Sequence, residues 1–440
     1  MKKRFLFFEI WLLLSLCSLS WAENLGRITL PQAIDLALEK NYTLKSLQAQ
    51  LDSARAKVQV SRSGYFPKIA ATGGIQKTKV LSDTQKSVTF SNGDRTMTMS
   101  MDEDRDVNQG TISFTLSQNI FDFGRRYYAL QKSKSGLQAT EENLAETRNG
   151  VIFGVEKTFY GYFQSVNLLN VARESVRQFE LQLQQAKARN ETGLVPLIDV
   201  TTARMNLATA RSRLQQAQSD VTLAKAALAH AIGLDFDDEY EPVEAVKASK
   251  PVPPLEELLR LLTSHNPAIR QAQESVRFAE LALKAAEGEY WPTVSGHMDY
   301  MAQGDDFPFE RKFILGLQID IPLFTGGATY YRVKDALVNI RQSQAILEQV
   351  TRDAQLAVVE DFTNYEKTLS QMDSLKEAGD AAEANLEMAS ARYQVGLGDI
   401  IEWTNASLSL IVTKTDYVNA NYNLLMIFAK LKRDIGVAEL

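Results

Sequence analysis

The sequence predicts a mainly α-helical protein with a β portion that lies in a membrane, built from two copies of one plan. Three observations lead to this fold class. The chain of 440 residues repeats its own landmarks. Each copy contains a proline-free run that is long enough for a very long helix. Each copy also contains segments in which apolar and polar residues alternate, as they do in a sheet with one buried face.

The repeat is visible as paired motifs at two fixed offsets. Tyr65-Phe66-Pro67 recurs as Tyr290-Trp291-Pro292, and Asn41 recurs as Asn266, both at an offset of 225. The pairs at an offset of 203 are Phe121 and Phe324, Tyr127-Tyr128 and Tyr330-Tyr331, Gly193-Leu194 and Gly396-Leu397, and Ile232-Gly233 and Ile435-Gly436. The change of offset predicts an insertion of 22 residues in the first copy, between residues 67 and 121. A period of about 200 residues is too long for a solenoid unit. We therefore expect a duplicated module, with a first repeat at 23–233, an acidic and proline-rich linker at 234–254, and a second repeat at 255–440.

The N-terminus has the features of a secretory signal peptide. Lys2, Lys3 and Arg4 precede a short apolar stretch, and Ser20-Trp21-Ala22 places small residues where a signal peptidase cleaves. These features predict a signal peptide at 1–22. The only cysteine, Cys17, follows Leu16, where a lipoprotein signal needs a small residue, and this disfavours lipidation. The mature chain would then have no disulfide and no thiolate metal site.

Composition and motifs argue against several classes of partner and of chemistry. The formal net charge of −6 argues against nucleic acid as a partner. After the signal peptide no run of about 18 apolar residues occurs, so we expect no transmembrane helix. An exported chain of this kind is periplasmic, secreted, or a barrel protein of the outer membrane. The three histidines, His230, His265 and His297, lack metal-ligand spacing. No phosphate loop or nucleophile motif occurs either, so the sequence predicts no metal, no cofactor and no catalytic residue.

Two runs predict helices of unusual length. The runs from Arg125 to Glu191 and from Ala328 to Val395 contain no proline and are rich in Gln, Ala, Glu, Lys and Leu. At a rise of about 1.5 Å per residue, each helix would be roughly 100 Å long. Shorter helices are expected at 31–63, 196–232, 255–289 and 397–434. Each pair of short helices nearly matches the length of its long helix, so we expect them to stack end to end beside it, in a single-layer wall.

Alternating residues predict four strands. Phe313, Leu315 and Leu317 alternate with polar residues and glycine, and the same period of two occurs at 294–300 and 111–120. The segment after Pro67 alternates less cleanly but is also expected to form a strand. We expect one hairpin in each repeat, with its turn at Asn92-Gly93-Asp94 in the first and at Gly304-Asp305-Asp306 in the second.

Four strands are too few to close a barrel. Every backbone group in a bilayer must be paired, and the smallest single-chain barrels have about eight strands. If these strands lie in a membrane, several chains must therefore share one barrel. Aromatic residues support this location, because both repeats place them where strand meets helix, as in an interfacial girdle. The alternative is that they fill a core at this junction. The predicted girdle residues are Tyr65, Phe66, Phe121, Tyr127, Tyr128, Tyr290, Trp291, Phe324, Tyr330 and Tyr331.

The order and duplication of these motifs resemble the TolC family of outer-membrane efflux proteins over essentially the whole mature chain. The motifs are the two Tyr-aromatic-Pro triplets and the segments 119–124 (Asn-Ile-Phe-Asp-Phe-Gly), 321–327 (Ile-Pro-Leu-Phe-Thr-Gly-Gly) and 391–397 (Ala-Arg-Tyr-Gln-Val-Gly-Leu). The resemblance implies a homotrimer, with four strands per chain in a twelve-stranded β-barrel continuous with a long periplasmic α-helical barrel. It also implies an outer-membrane exit duct of a tripartite efflux pump or type I secretion system. A periplasmic adaptor and an inner-membrane pump would open this duct.

The resemblance places the functional residues at the far end of the helices. The helix hairpins turn at a first tip, Thr192-Gly193-Leu194, and a second tip, Val395-Gly396-Leu397. Glycine at a helix end is commonly a C-cap, and in the family such tips also dock the adaptor.

Four further residues are implied to form a gate. Tyr393 and Asp199 match residues that hold the family's gate shut, and Glu402 and Asn405 match the constriction. Glu402 and Asn405 are three residues apart and share a helix face, and a ring of three carboxylates selects cations. The family has a second acid where Asn405 stands and an arginine where Gly398 stands, so this chain departs from the pattern twice.

Two other interpretations stay open. A periplasmic coiled-coil scaffold without a pore would be soluble without detergent and would form no trimeric barrel. An exported enzyme would need a convergent polar cluster, which the sequence does not show. A solvated helix face also explains Glu402 without any gate. The favoured interpretation is a passive conduit with no catalytic activity.

Overall fold

The structure is a computed structural model that describes residues 26–80, 86–93, 95–101, 105–235, 240–244, 252–304 and 309–437. The predicted signal peptide, including Cys17, lies outside the described residues. So do Asp94, Asp305 and Asp306 of the predicted turns, and most of the linker at 234–254.

The described elements follow the predicted order of helix, strands, long helix and helix twice. The first repeat contains β1 (Gly26–Ile28), α1 (Leu30–Lys40), α2 (Tyr42–Ser63), β2 (Lys68–Val80), β3 (Lys86–Asn92), β4 (Arg95–Met101), β5 (Arg105–Phe121), α3 (Arg125–Glu191) and α4 (Leu197–Ile232). The linker contains β6 (Tyr240–Pro242), and the second repeat contains α5 (Leu255–His265), α6 (Pro267–Glu287), β7 (Thr293–Gly304), β8 (Glu310–Asp320), α7 (Ala328–Val395) and α8 (Ile400–Ile435).

The described chain forms two compact units. The first contains the described residues up to Ala49, together with Glu141–Arg270 and the described residues from Glu348 onward. The second contains Gln50–Thr140 and Gln271–Leu347. Each unit therefore draws residues from both repeats. The candidate gate residues all belong to the first unit, and the sheet belongs to the second.

The two long helices begin and end at the predicted residues. α3 contains 67 residues and α7 contains 68. Neither contains a proline, the residue that would remove an intrahelical hydrogen bond and clash with the preceding turn. None of the helices in the described part of the chain combines the length and the apolar character that a membrane span requires.

The prediction of continuous helices at 31–63 and 255–289 was wrong, because each segment contains a break. Asn41 separates α1 from α2, and Asn266 separates α5 from α6. The Asn41 Oδ1 accepts hydrogen bonds from the backbone N–H groups of Thr43 and Leu44, at 2.9 and 3.1 Å. The Asn266 Oδ1 accepts one from the N–H of Ile269, at 3.0 Å. Both asparagines have extended backbone angles and cap the helix that follows.

The second unit contains the predicted four-stranded sheet. Its strand order is β2-β5-β7-β8, and every neighbouring pair is antiparallel. The central β5–β7 pair joins the two repeats, with a bulge at Asn119/Phe121. The four predicted strands are therefore present, and each repeat supplies two of them.

The first-repeat turn was assigned to the wrong pair of strands. The connection from β3 to β4 follows Asn92 and begins with Gly93, and these two strands form a separate two-stranded sheet within the insertion. Gly93 has a φ of +64°, the left-handed conformation that tight hairpin turns need. β2 instead pairs with β5 from Lys68 opposite Ser117 to Val80 opposite Arg105. A strong local turn signal thus marks an additional hairpin.

The linker is attached to the core of the first unit. β6 pairs in parallel with β1, from Gly26 opposite Tyr240 to Ile28 opposite Pro242. The Tyr240 side chain is buried, and its hydroxyl donates a hydrogen bond to the carbonyl oxygen of Lys225, at 2.6 Å. Burial is the main cause that raises the pKa of Tyr240 to about 12.

Small clusters of buried side chains stabilise the first unit. One cluster surrounds Phe159 and Phe163 of α3 and includes Ile28 and Tyr240. Another contains Tyr393 at the end of α7 and Trp403 at the start of α8, with several alanines. Of the four residues that were predicted to form a gate, this second cluster contains Tyr393.

A candidate gate at the helix-hairpin tips

Both predicted tips are helix C-caps of the same type. Gly193 and Gly396 have φ angles of +73° and +82°. The N–H of Leu194 donates to the carbonyl oxygen of Arg189, and the N–H of Leu397 donates to that of Arg392, each at 2.9 Å. A hydrogen bond from an N–H to the carbonyl oxygen five residues earlier, together with a glycine in the left-handed conformation, defines the Schellman motif. A Cβ at Gly193 would meet no neighbouring side chain within 4 Å, so the backbone angle alone favours glycine.

The tips present apolar side chains to solvent. Leu194 in the first tip, and Val395 and Leu397 in the second, are each about two-thirds exposed or more. The helices that follow add exposed Leu197, Ile198 and Ile401. Thr192 instead folds back, and its hydroxyl donates to the Arg189 carbonyl oxygen at 2.9 Å. A cluster of exposed aliphatic side chains on a structured turn is typical of a surface that another protein covers.

The start of α8 positions Glu402. Asp399 caps the helix, and its Oδ1 accepts a hydrogen bond from the Glu402 N–H at 2.7 Å. The Glu402 Oε1 lies 3.1 Å from the Nε of Arg392 on α7. Asn405 is exposed one turn further along the helix. Glu402 and Asn405 therefore share a solvent-facing side of α8, as their spacing predicted.

Tyr393 lies at the centre of the buried cluster. Its side chain is among the most completely buried in the described chain, with 1% exposure, and its ring centroid lies 5.2 Å from that of Trp403. The guanidinium of Arg189 stacks over the Tyr393 ring, 5.0 Å from its centroid. The Arg189 Nη1 also donates a hydrogen bond to the Tyr393 carbonyl oxygen. Arg189 thus links the end of α3 to the end of α7.

The Tyr393 hydroxyl does not hydrogen-bond to Asp199. It is buried and has no hydrogen-bond partner among the described residues. The two groups still interact through charge: burial raises the pKa of Tyr393, the Asp199 carboxylate raises it further, and Arg189 lowers it. Burial also raises the pKa of Asp199, with a further rise from Asp399 and an opposing effect of Arg189. The structure therefore brings Tyr393 and Asp199 together around Arg189.

Sequence reasoning missed both arginines of this site. Arg189 and Arg392 occupy equivalent positions of the two repeats, separated by the offset of 203 that relates Asp199 to Glu402. Each repeat therefore carries an arginine ten residues before an acid. The first arginine reaches the second tip, and the second stays on its own hairpin and pairs with Glu402. The offset of 203 between the repeats could therefore have identified both arginines from the sequence.

The predicted aromatic girdle lies in the second unit. All of its ten residues except Tyr128 are exposed. Exposed rings are compatible with the predicted girdle, which stays a prediction. Phe123, in the turn between β5 and α3, stacks on Trp291 with ring centroids 5.1 Å apart.

One arginine clamps the turn between strand and helix in the same unit. The Arg126 guanidinium pairs with buried Asp122 at 2.7 Å and donates to the carbonyl oxygens of Gly64, Asn119 and Ile120. These bonds satisfy backbone groups where the strand β5 ends and the helix α3 begins.

Comparisons with known proteins give a consistent result. The family model for the outer membrane efflux protein matches residues 33–234 and 258–437. The chain is 26% identical to the outer membrane protein TolC of Escherichia coli, over 95% of this chain and 83% of that protein. It is 22% identical to the outer membrane efflux protein BepC of Brucella suis, over 90% of this chain and 83% of that protein.

Solved structures show the same fold. The outer membrane protein VceC of Vibrio cholerae superposes with a TM-score of 0.82 and 18% identity, covering 93% of this chain and 96% of that chain. CusC, a protein that forms a transmembrane channel, superposes with a TM-score of 0.80 and 18% identity, covering 93% and 92%.

Proposed function

The chain belongs to the outer membrane efflux protein family, and from this premise we propose that it is the outer-membrane exit duct of a tripartite efflux pump or type I secretion system. In this role it is a passive conduit that catalyses no reaction. A periplasmic adaptor and an inner-membrane pump open it and supply the substrate. The single observation that carries the proposal is a four-stranded sheet with two free edges, attached to helices of 67 and 68 residues.

The two free edges support a homotrimer. Among the described strands, β2 and β8 are the outer strands of the sheet, and each pairs with one neighbour. In lipid the unpaired backbone groups of both strands would be costly, because no water is present to bond them. Pairing β8 of one copy with β2 of the next removes both edges. Three copies then supply twelve strands, a number within the range of closed outer-membrane barrels.

The composition of β8 supports a lipid-facing barrel wall. Phe313, Leu315, Leu317 and Ile319 point to one side of the strand and are all well exposed. A periplasmic scaffold without a pore would leave this apolar surface in water. In a barrel, the same side chains form the outward band, and the exposed aromatics flank it at the interface.

The tips support a closed periplasmic end that an adaptor docks on. The Schellman turns fix the backbone of both tips, and the exposed Leu194, Val395 and Leu397 form an apolar surface on them. Around a threefold axis, Glu402 and Asn405 of the three copies would form one charged and one neutral ring. The bond from Arg189 to the Tyr393 carbonyl oxygen would hold the two hairpins of each copy together.

Two measurements on the purified full-length protein test this proposal. Native mass spectrometry in detergent should give three copies per particle, and a planar bilayer should show a small, steady conductance. Recovery as a monomer in the soluble periplasmic fraction, together with no conductance, would contradict the proposed duct and favour a periplasmic scaffold without a pore.

A further inference from the structure

We propose that Arg392 is the counter-charge of Glu402 and sets the ion selectivity of the closed gate. The inference rests on the proposed function and adds a residue to it. In this chain each carboxylate of the Glu402 ring would have its own guanidinium, so the constriction is a ring of ion pairs. Selectivity for cations is accordingly weaker than three bare carboxylates would produce.

The geometry holds Arg392 in place from two sides. Its Nε lies 3.1 Å from the Glu402 Oε1, and its Nη2 donates to the carbonyl oxygen of Leu397 at 3.2 Å. The Leu397 carbonyl belongs to the second tip, which the Schellman turn already fixes. Glu402 is fixed from its own side, because Asp399 caps the first turn of α8. Both partners of the pair are therefore attached to rigid backbone.

The glycine at position 398 makes room for this pair. A Cβ at Gly398 would lie 3.0 Å from the Glu402 Oε2 and 3.1 Å from the Arg392 Cβ. The neighbours would have to shift by a few tenths of an ångström to accept that Cβ. The absence of a side chain at position 398 therefore leaves space for the ion pair between Arg392 and Glu402.

Both side chains of this ion pair are exposed. Their effect on a permeating ion does not depend on how strongly they attract each other. The side chains of Arg392 and Glu402 are 56% and 43% exposed. Exposed pairs of this kind contribute little to stability. A permeating ion nevertheless responds to the summed field of both charges. Their separation of 3.1 Å is short beside a Debye length of about 8 Å at physiological ionic strength, so the two charges largely cancel at a distance.

The test is the reversal potential of the reconstituted protein in a planar bilayer with a KCl gradient. Arg392→Gln removes the cation and keeps a side chain of similar length. We expect the ratio of K⁺ to Cl⁻ permeability to rise by about threefold or more, because three uncompensated carboxylates then line the constriction. The double variant Arg392→Gln/Glu402→Gln should lose this gain and return close to the wild-type ratio.

A matched control removes a cation elsewhere on the same two helices. Lys414 of α8 lies 3.9 Å from Glu383 of α7, away from the tips. Lys414→Gln should leave the permeability ratio unchanged.

The outcomes separate the inference from the proposed function. A conducting trimer whose permeability ratio stays constant in Arg392→Gln would overturn the counter-charge and leave the duct intact. An equal rise in Lys414→Gln would overturn it as well, since any lost cation would then suffice. Absence of conductance from the wild-type protein would contradict the proposed duct, and the inference about Arg392 would fail with it.

Discussion

At the scale of single residues, Arg189 holds the candidate gate together. Its guanidinium makes a cation–π contact with the Tyr393 ring and donates to the carbonyl oxygen of the same residue. A hydrogen bond to a charged donor contributes about 1.5–3 kcal/mol. The family pattern places an arginine at position 398, which is glycine here. Arg189 supplies a guanidinium at the same tip from the other hairpin.

Replacing Arg189 should therefore favour the open state. Arg189→Ala removes the bond to the Tyr393 carbonyl oxygen, and a loss of about 1.5–3 kcal/mol would shift the balance between closed and open states by roughly tenfold or more. The open probability in a planar bilayer measures this shift.

Arg211 provides the control for this experiment. It lies on α4 and pairs with Glu180 of α3 at 2.8 Å, with both side chains exposed. Arg211→Ala removes an arginine that touches neither tip, so it should keep the wild-type open probability. If Arg189→Ala and Arg211→Ala raise the open probability equally, the cause is a general loss of positive charge. Arg189 would then have no specific role in closure.

At the scale of elements, the two asparagine breaks form a natural pair for comparison. Both cap a helix, and within the described part of the chain only Asn266 makes a further side-chain bond, from its Nδ2 to the carbonyl oxygen of Asp434 on α8, at 2.6 Å. Asn266 is also buried. Loss of an N-cap costs about 1 kcal/mol. A second lost bond, which leaves a buried group unsatisfied, adds about 1–3 kcal/mol.

We expect Asn266→Ala to be more destabilising than Asn41→Ala. The second variant loses about 1 kcal/mol from the cap alone, and the first loses roughly 2–4 kcal/mol from both effects. The midpoints of chemical unfolding of the two variants, measured beside the wild type in one detergent, give the comparison. Equal losses would mean that the bond to Asp434 contributes nothing.

The elements also show what sequence patterns can and cannot establish. The bounds of α3 and α7 follow from composition, because nothing within those runs stops a helix. Asn41 and Asn266 are equivalent residues of the two repeats, and asparagine favours a helix N-cap. One such residue inside a long helical pattern does not by itself establish a break. The Asn92-Gly93 turn was found correctly, but a local turn signal does not identify the strands it joins.

The site was less predictable than the fold for a similar reason. The spacing of Glu402 and Asn405 places them on one helix face, and this holds in the structure. The role of Arg189 depends on a contact between residues 204 positions apart in the chain. No local pattern carries such a contact. Only the shared offset of Arg189 and Arg392 within the repeat pointed toward it.

At the scale of the whole molecule, the duplication builds one sheet from both repeats but does not close it. Each repeat contributes two strands to one sheet through the β5–β7 pair, and the free edges are left to β2 and β8. In the proposed duct a single chain would leave these edges unpaired in lipid, so we expect insertion to depend on assembly with other copies. In the same proposal, the apolar side of β8 faces lipid.

A charge on this side of β8 should prevent insertion, while a charge one residue further along should be tolerated. Leu317 is 74% exposed and belongs to the apolar side of the strand, whereas Gln318 points the opposite way. An arginine facing lipid near the bilayer midplane costs about 2–4 kcal/mol per copy, and a trimer multiplies that cost by three. Leu317→Arg should therefore leave little protein in the outer-membrane fraction, and Gln318→Arg should leave close to the wild-type amount. Comparable amounts of both variants in the membrane would mean that the apolar side of β8 does not face lipid. The barrel would then have to be oriented differently, or be absent.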